Sequence, residues 1–310
     1  MNSFKYSNTN KRYYTLDYYY KEKYKYKICK ISLDQGLSCP NKDGTVGIGG
    51  CIYCSKGSSD FAGDKTKPLK EQFEEVKKVM LNKWPDAKFI AYFQPNTNTY
   101  GPLDRLKKNF EEVLTYDNVV GINISTRPDS ISKECYDYLE ELNKKTDLTV
   151  ELGLQTINKK TSKLINRCHS LESFEEAVRE LNKRNIKILV HIIDGLPYET
   201  KEDMLNIIKY LNKFDIWGLK IHMLNVVKDT ELANLYNKEH FHILTLPEYV
   251  DIICDQLELL RENIVINRLT ADAKKEMLIE PQWIIKKFVV LDEIDKEMAR
   301  RDSWQGKRAN

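Results

Sequence analysis

The chain has 310 residues, of which 41% are hydrophobic and 31% charged, so it is too apolar for a disordered protein and long enough for one large domain or two small ones. Its nine Pro and thirteen Gly exclude a collagen-like or linker-rich architecture. No apolar run approaches the roughly 18 residues that a membrane helix needs, and the first residues, MNSFKYSNTNKRYY, lack the apolar core of a secretory signal. We therefore expect a cytoplasmic protein without structural disulfides.

The amino end is basic although the whole chain is nearly balanced, with 49 Lys and Arg against 46 Asp and Glu. Residues 1–30 carry eight basic and two acidic side chains, a net of +6, and eight of the eighteen tyrosines. Interleaved cations and aromatic rings suit the phosphates and unstacked bases of a nucleic acid. A solvated tail from a Lys- and Tyr-rich proteome is an equally good interpretation.

Strand and helix patterns then alternate along the chain. The strand patterns lie at 26–33, 88–93, 119–125, 148–154, 186–193 and 218–224, and the helix patterns at 68–84, 103–114, 131–142, 159–182 and 201–214. Six such units in succession predict an α/β fold, an open parallel β/α barrel with right-handed crossovers. A doubly wound sheet is less favoured, because GIGG at 47–50 is a poor match to its phosphate-binding turn. We divide the chain into a basic Tyr-rich segment (1–25), the partial barrel (26–262) and a carboxyl-terminal extension packing on it (263–310).

Three cysteines lie on the Gly-rich loop after the first strand, in the spacing C-x11-C-x2-C: Cys39, Cys51 and Cys54. The close pair can place two thiolates on one metal, and the glycines let Cys39 fold back as a third. Three ligands are one short of a closed structural zinc site, and an open catalytic metal requires such an incomplete set. Cys29 could complete a zinc ribbon, but it falls inside a strand, where Cys is usually a small apolar core residue. The other cysteines are in helix-like contexts and are expected to pack in the core: Cys135, Cys168 and Cys254.

Motifs along almost the whole chain resemble the radical S-adenosylmethionine (SAM) superfamily, specifically its YhcC/YtqA-like group, whose radical domain is related to that of Elongator-type enzymes. They are KISLDQGLSCPNKDG with GGCIYC, YFQPNTNTYGPLDRLK, INISTRPDSI, VELGLQT with INRCHS, HIIDGLP, RLTADAKKEMLIEPQW and SWQGK. The long first cysteine spacing is typical of this group. Cys168 departs from the pattern, since the family's N-R-G-H string has Gly there.

The resemblance implies that Cys39, Cys51 and Cys54 hold a [4Fe–4S] cluster whose fourth iron binds the amino and carboxylate groups of SAM. Cleavage of SAM by the reduced cluster yields a 5′-deoxyadenosyl radical that takes hydrogen from unactivated carbon. An electron donor such as flavodoxin or ferredoxin is implied as a partner.

Polar residues that follow successive strand ends should converge on one mouth of the barrel. From their positions and the resemblance we expect these SAM-pocket residues: Gln94, Thr126, Arg127, Glu151, Gln155, His191 and Asp194. Simpler roles are open for three of them. Arg127 could only pair with Asp129, His191 could be a core histidine, and Glu151 could anchor a neighbouring loop.

The string NRLTADA supplies substrate-side candidates Asn267, Arg268 and Asp272, for which a salt-bridged structural role is the alternative. The resemblance further implies action on tRNA, in the MnmL step that converts 5-carboxymethylaminomethyl-(2-thio)uridine at the wobble position to the 5-aminomethyl form. Hydrogen abstraction from the glycine-like CH2 followed by loss of the two-carbon unit fits that role, and the basic ends could hold the anticodon arm. The alternatives are a small-molecule or protein substrate, or a zinc-binding interaction module.

Overall fold

The structure is a computed structural model that describes residues 4–55 and 63–309. In this part of the chain the strands are β1 (Ile28–Leu33), β2 (Lys88–Phe93), β3 (Val119–Thr126), β4 (Asp147–Gln155), β5 (Lys187–Asp194), β6 (Gly218–Met223), β7 (Val226–Val227), β8 (Val265–Arg268) and β9 (Leu278–Glu280). The helices are α1 (Leu16–Tyr24), α2 (Leu69–Lys83), α3 (Leu103–Leu114), α4 (Lys133–Lys145), α5 (Lys159–Leu164), α6 (Leu171–Lys183), α7 (Lys201–Leu211), α8 (Glu231–Glu239), α9 (Leu246–Leu259) and α10 (Lys287–Arg300).

Among the described residues, the central sheet has seven parallel strands in the order β1-β2-β3-β4-β5-β6-β8. Neighbours in the sheet follow chain order, and β1 and β8 form its two edges, so the sheet curls without closing. The prediction of an open parallel β/α barrel is confirmed. All six predicted strand-helix units are present, and β8 adds a seventh strand. A separate antiparallel pair joins β7 to β9.

The two faces of the sheet differ in chemistry because side chains alternate along a strand. On β4, Val150 and Leu152 point outward into the hydrophobic core beneath the helices, whereas Glu151 and Gly153 point inward. Parallel strands covered on both faces usually read as continuous apolar runs. Here only the helix-facing side is apolar, and the inner side is a polar cavity.

Local sequence signals explain where the crossover helices begin and which side of them is buried. Ser170 caps α6 by accepting from the N–H of Ser173, and Thr200 forms a capping box with Asp203 at the start of α7. The buried side of α6 repeats at helical spacing: Phe174, Ala177, Val178 and Leu181. Burial of this stripe against the sheet fixes the helix on the outer layer. No helix in the described ranges is long and apolar enough to cross a membrane.

The amino-terminal segment is folded against the β8 edge. The main-chain N–H of Ile266 donates to Tyr14 O at 2.7 Å, and both Tyr13 and Tyr20 are buried. All eight basic residues of this segment have an acidic partner: Lys5–Glu262, Lys11–Asp295, Arg12–Asp302, Lys21–Asp17, Lys23–Asp147, Lys25–Glu22, Lys27–Asp17 and Lys30–Glu151. The solvated-tail interpretation is therefore wrong.

The carboxyl end meets the amino end at the same edge. Gln305, in the SWQGK motif, is fully buried; its Nε2 donates to the carbonyls of Arg261 and Ile264 at 2.8 Å, and its Oε1 accepts from the N–H of Tyr14 at 2.9 Å. One amide thus satisfies three backbone groups, two from the connection between α9 and β8 and one from the amino-terminal segment. The motif ties both termini to the last strand of the sheet.

Candidate functional site

A cavity of about 600 Å³ opens at the carboxyl edge of the sheet. It is lined by inner-face residues of the strands and by the cysteine loop. The structure brings together there most of the residues singled out from the sequence: Cys39, Cys51, Cys54, Gln94, Thr126, Arg127, Glu151, Gln155, His191, Asn267, Arg268 and Asp272. Their convergence follows from the parallel sheet, whose strand ends all face one mouth.

Asp194 is not among the cavity-lining residues. Its carboxyl lies on the opposite face of β5, where Oδ1 accepts from Gln256 Nε2 of α9 at 3.0 Å. Burial raises the pKa of Asp194 to about 8. The structure therefore does not bring this residue together with the other SAM-pocket candidates.

The three loop thiols line the cavity side by side and are partly buried. Within residues 4–55 and 63–309, no group of three or more His, Cys, Asp or Glu side chains, the three loop thiols included, is arranged as a site for a single metal ion. Cys29 lies on the helix-facing side of β1 in the hydrophobic core, as the sequence predicted, and contributes nothing to the cavity wall. A four-thiolate zinc ribbon with Cys29 is inconsistent with this arrangement.

The cysteine loop is anchored to the segment between α5 and α6. Asn41 Nδ2 donates to Asn166 O at 2.6 Å and approaches Cys51 Sγ at 3.6 Å, and Asn166 Nδ2 donates in return to Gly50 O at 2.8 Å. Gly47 has to be glycine, since a Cβ there would lie 2.2 Å from Asn41 Oδ1. These contacts hold the loop over the sheet.

The expectation that Cys168 packs in the core is wrong. It lies in the loop between α5 and α6, not in a helix, and it is exposed rather than packed. Its φ of 60° is in the left-handed region, where glycine is favoured, which accounts for the Gly of the family string at this position.

Burial and nearby cations act in opposite directions on the pKa values of two of the loop thiols. Burial raises the pKa of Cys51 and raises that of Cys54 to about 11, while Arg127 opposes the shift at Cys51 and Lys42 at Cys54. Buried neutral thiols exchange their protons for a metal when they bind one. The two cations at the same wall would offset the negative charge of bound thiolates. The donor set is therefore suited to a sulfur-ligated metal group with an open position.

The Arg127 side chain lines the cavity and also makes structural hydrogen bonds. Its guanidinium donates to both carboxylate oxygens of Asp129, at 2.9 and 2.7 Å, and to Arg167 O at 2.8 Å. The pairing with Asp129 foreseen as a simpler role is therefore present, and it locks the side chain at the cavity wall. Beside it, Thr126 Oγ1 lies 2.5 Å from Thr99 Oγ1.

The two glutamines are held by neighbouring strands. Ser32 Oγ donates to Gln94 Oε1 at 3.0 Å. Gln155 has a φ of 66° and follows a register irregularity between β4 and β5. A Cβ on Gly153 would lie 2.8 Å from Gln155 Nε2, so a side chain there would displace this amide from its present position. His169, which the sequence did not single out, approaches Gly153 O with Nε2 at 3.0 Å.

Glu151 is the centre of a buried network on the floor of the cavity. Its carboxylate contacts groups from five other strands: Lys220 Nζ at 2.6 Å, Tyr92 Oη at 2.7 Å, Asn123 Nδ2 at 2.7 Å, His191 Nε2 at 2.8 Å, and Lys30 Nζ and Ser125 Oγ at 3.4 Å. Burial alone would raise the pKa of Glu151, but Lys220 and Lys30 outweigh it and hold the pKa well below its usual range. With no accessible surface, Glu151 acts on the cavity through these partners.

The two lysines of this network, Lys30 and Lys220, are not among the residues that the sequence motifs single out. Burial lowers the pKa of both, to about 7 for Lys220. The signal in the sequence is a lysine inside an otherwise apolar strand, GLKIHM. A lysine is almost never fully buried unless it is paired, so this position indicates a buried partner.

Two family models match the chain. The model of the radical SAM superfamily matches residues 45–211, and that of the radical SAM C-terminal domain matches residues 216–300. The chain therefore belongs to the radical SAM superfamily. Members of this superfamily bind a [4Fe–4S] cluster and S-adenosylmethionine, the two cofactors expected from the sequence.

Within the superfamily, the chain falls in the YhcC/YtqA-like group. It is 46% identical to the uncharacterized protein YtqA of Bacillus subtilis, over 99% of this chain and 95% of YtqA. It is 27% identical to protein YhcC of Escherichia coli, over 88% of each chain. A more distant relative is the tRNA uridine(34) acetyltransferase of Methanocaldococcus infernus, 24% identical over 57% of this chain and 34% of that protein.

The solved structure of archaeal Methanocaldococcus infernus Elp3 is similar to this one with a TM-score of 0.67. The similarity covers 90% of this chain and 64% of Elp3 at 16% sequence identity. At that identity the match shows a shared fold.

Proposed function

We propose that this radical SAM enzyme modifies the wobble uridine of tRNA, converting 5-carboxymethylaminomethyl-(2-thio)uridine to 5-aminomethyl-(2-thio)uridine. The observation that carries the proposal is a cavity in which three thiols line the mouth and more cations than carboxylates line the floor. The relative named as a tRNA uridine(34) acetyltransferase supports a tRNA substrate for this branch of the superfamily.

In this proposal Cys39, Cys51 and Cys54 bind three irons of a [4Fe–4S] cluster and leave the fourth iron for SAM. When bound, the two cofactors supply a 5′-deoxyadenosyl radical that can remove a hydrogen atom from substrate carbon. Arg127 and Gln155 line the pocket for SAM, and their fixed orientations reduce the ordering cost of binding.

Further cavity-wall residues complete the SAM side of the site in this proposal. Gln94 and Thr126 offer polar groups that Ser32 and Thr99 already hold in place. The enclosing strands and the cysteine loop restrict access of water, which protects a reactive radical from stray hydrogen donors.

An exposed surface at the start of α10 suits the RNA. This α10 surface consists of Ile285, Lys286, Lys287, Phe288 and Val289; the Phe288 ring is 87% exposed. Lys287 contacts Asp272, which itself lines the cavity, so the α10 surface adjoins the cavity. Exposed rings beside cations bind bases by stacking and phosphates by charge.

The basic amino-terminal segment gives the proposal less support than its composition suggested. Each of the six cations in residues 1–25 is paired with a carboxylate, and the buried tyrosines belong to the core. Deletion of residues 1–25, which would distinguish RNA from small-molecule substrates if the segment were a tail, would instead expose the β8 edge.

The test compares tRNA nucleosides, by mass spectrometry, from cells with and without this gene. We expect 5-carboxymethylaminomethyl-(2-thio)uridine to accumulate and the 5-aminomethyl form to disappear when the gene is deleted. Complementation with Cys51→Ala is the matched control and should not restore the product. An unchanged wobble uridine in the deletion strain would reject this substrate and favour a small-molecule or protein substrate for the same site.

A further inference from the structure

The floor of the cavity carries more cations than carboxylates. Lys30 on β1, Lys220 on β6 and Arg268 on β8 all line it. The acidic groups facing them are Glu151, which contacts both lysines, and Asp272, which pairs with Arg268 at 3.0 Å and with a further lysine of α10. Two ammonium groups thus share one carboxylate.

The histidines of the floor do not change this balance. The rings of His191 and His222 are tilted by 40° to each other with centroids 5.2 Å apart. Burial lowers the pKa of His191 to about 4 and that of His222 well below its usual range, so both rings are neutral near pH 7. Burial also lowers the pKa of Lys30, and that of Lys220 to about 7, so a carboxylate bound on the floor would hold both lysines in the charged form.

The lysines also have unused hydrogen-bond donors. Lys220 Nζ donates to Tyr92 Oη at 3.0 Å and to Glu151 Oε2 at 2.6 Å. Because an ammonium carries three N–H groups, one N–H of Lys220 has no acceptor among the described residues. Lys30 Nζ has one such acceptor in the same part of the chain, Glu151 Oε1 at 3.4 Å.

A buried cation without a counter-charge is costly. A second carboxylate on the floor would balance the charge and accept the spare N–H groups. Charge-assisted hydrogen bonds of this kind are among the stronger ones in proteins. A neutral ligand would leave the surplus charge in place.

We propose that Lys30, Lys220 and Arg268 form a subsite for a carboxylate group of the substrate. The assignment deepens the proposed function and rests on it for the identity of the molecule: the carboxylate would be that of the carboxymethylamino group. Binding it on the floor directs the adjoining CH2 toward the thiol-lined mouth. The enzyme would thereby select the acidic form of the modified uridine over neutral analogues.

The first test uses an anticodon stem-loop RNA with 5-carboxymethylaminomethyluridine at the wobble position and the same RNA with its carboxyl converted to the amide. The protein is the anaerobic, cluster-containing enzyme loaded with SAM. We expect the acid to bind roughly tenfold or more tightly than the amide, the scale of one hydrogen bond to a charged group. Equal affinities for the two RNAs would overturn the assignment.

Lys220→Met should bind the acid and the amide RNA with about equal affinity. Lys220→Arg should retain part of the preference for the acid. Removal of Lys220 leaves Glu151 paired with Lys30, so the floor stays charge-balanced and the variant should fold and bind SAM normally. Lys144→Met, on the exposed side of α4, is the matched control and should keep the wild-type preference. A Lys220→Met enzyme that binds SAM normally and still discriminates acid from amide would also refute the subsite.

A second probe separates the subsite from the tRNA proposal. Iminodiacetate, a small secondary amine with carboxymethyl groups, should shift the ring NMR signals of His191 and His222 saturably in the wild type and not in Lys220→Met. If iminodiacetate binds in this way but neither RNA does, the carboxylate subsite stands and tRNA is the wrong substrate. If iminodiacetate causes no shift in the wild type, the subsite is refuted whatever the RNA results are.

Discussion

The ammonium of Lys220 lies 2.6 Å from the carboxylate of Glu151 on the floor of the barrel. The two residues are 69 positions apart in the chain and face each other because β4 and β6 both turn their inner sides to the same cavity. The buried ion pair contributes to the stability of the barrel, and Lys220 also lines the cavity. A change at this pair should therefore affect both stability and substrate binding.

Glu151→Gln should destabilise the folded protein by about 3–5 kcal/mol, because it leaves two buried ammonium groups without their carboxylate. Chemical denaturation of the variant measures the change, with Glu140→Gln on the exposed side of α4 as control. Combining Glu151→Gln with Lys220→Met should recover part of the loss, since one surplus charge is removed. Strictly additive losses would show that the pair is not coupled.

Cys39→Ala, Cys51→Ala and Cys54→Ala should each abolish the brown colour and the bound iron and sulfide of the anaerobically purified protein. Cys29→Ala should keep both, because that thiol packs in the core on the other face of the sheet. Iron and sulfide counting checks the set. A colourless wild-type protein containing one zinc would contradict the cluster assignment and favour the zinc-binding module.

Cys168→Gly should leave the iron content unchanged and change the free energy of unfolding little. Glycine relieves the backbone strain at a φ of 60°, but its greater conformational freedom in the unfolded chain offsets this gain. Cys168→Val should destabilise by about 1–2 kcal/mol because a β-branched residue is strained in the left-handed region. Thermal or denaturant unfolding of the two variants gives the comparison. Equal stability of both would show that the backbone there adapts.

Asp194 makes the stability depend on pH. Its folded pKa, raised to about 8, lies above the ordinary value of 3.8, so the folded state holds the proton more tightly than the unfolded chain. This contribution to stability is complete below the unfolded pKa and is lost as the pH rises through the folded pKa, by up to about 1.4 kcal/mol per pH unit between them. Asp194→Asn, which cannot ionise, should flatten the curve of unfolding free energy over that window. An unaltered curve would mean that the carboxyl is not held neutral.

Phe288→Ala and Lys286→Ala should each weaken tRNA binding, with about 1–3 kcal/mol lost where a base stacks on the ring. Val79→Ala, at an apolar residue of α2 that is 64% exposed, is the control for loss of surface area alone. Filter binding at fixed salt measures the three affinities. The same affinity for all variants would remove the α10 surface from the RNA interface.

The sequence by itself determined strands β1 to β6 with the helices between them, the parallel barrel and the position of three thiols on one loop. These features depend on local patterns: β2 and α3 have the predicted bounds because a continuous apolar run ends at the first and helical spacing ends at the second. The family motifs added the cofactors. Alternation along β5 could also have separated Asp194 from His191, since three positions along a strand reverse the side.

Only the tertiary structure decided which charged side chains pair with one another. The cations of the amino-terminal segment are neutralised by residues as distant as Glu262 and Asp295, which composition cannot reveal. The network around Glu151 likewise depends on strands β1 to β6 curling toward one axis, which brings Lys30 and Lys220 to the same carboxylate. Electrostatic energy depends on distance and burial, and both are set by packing between remote segments.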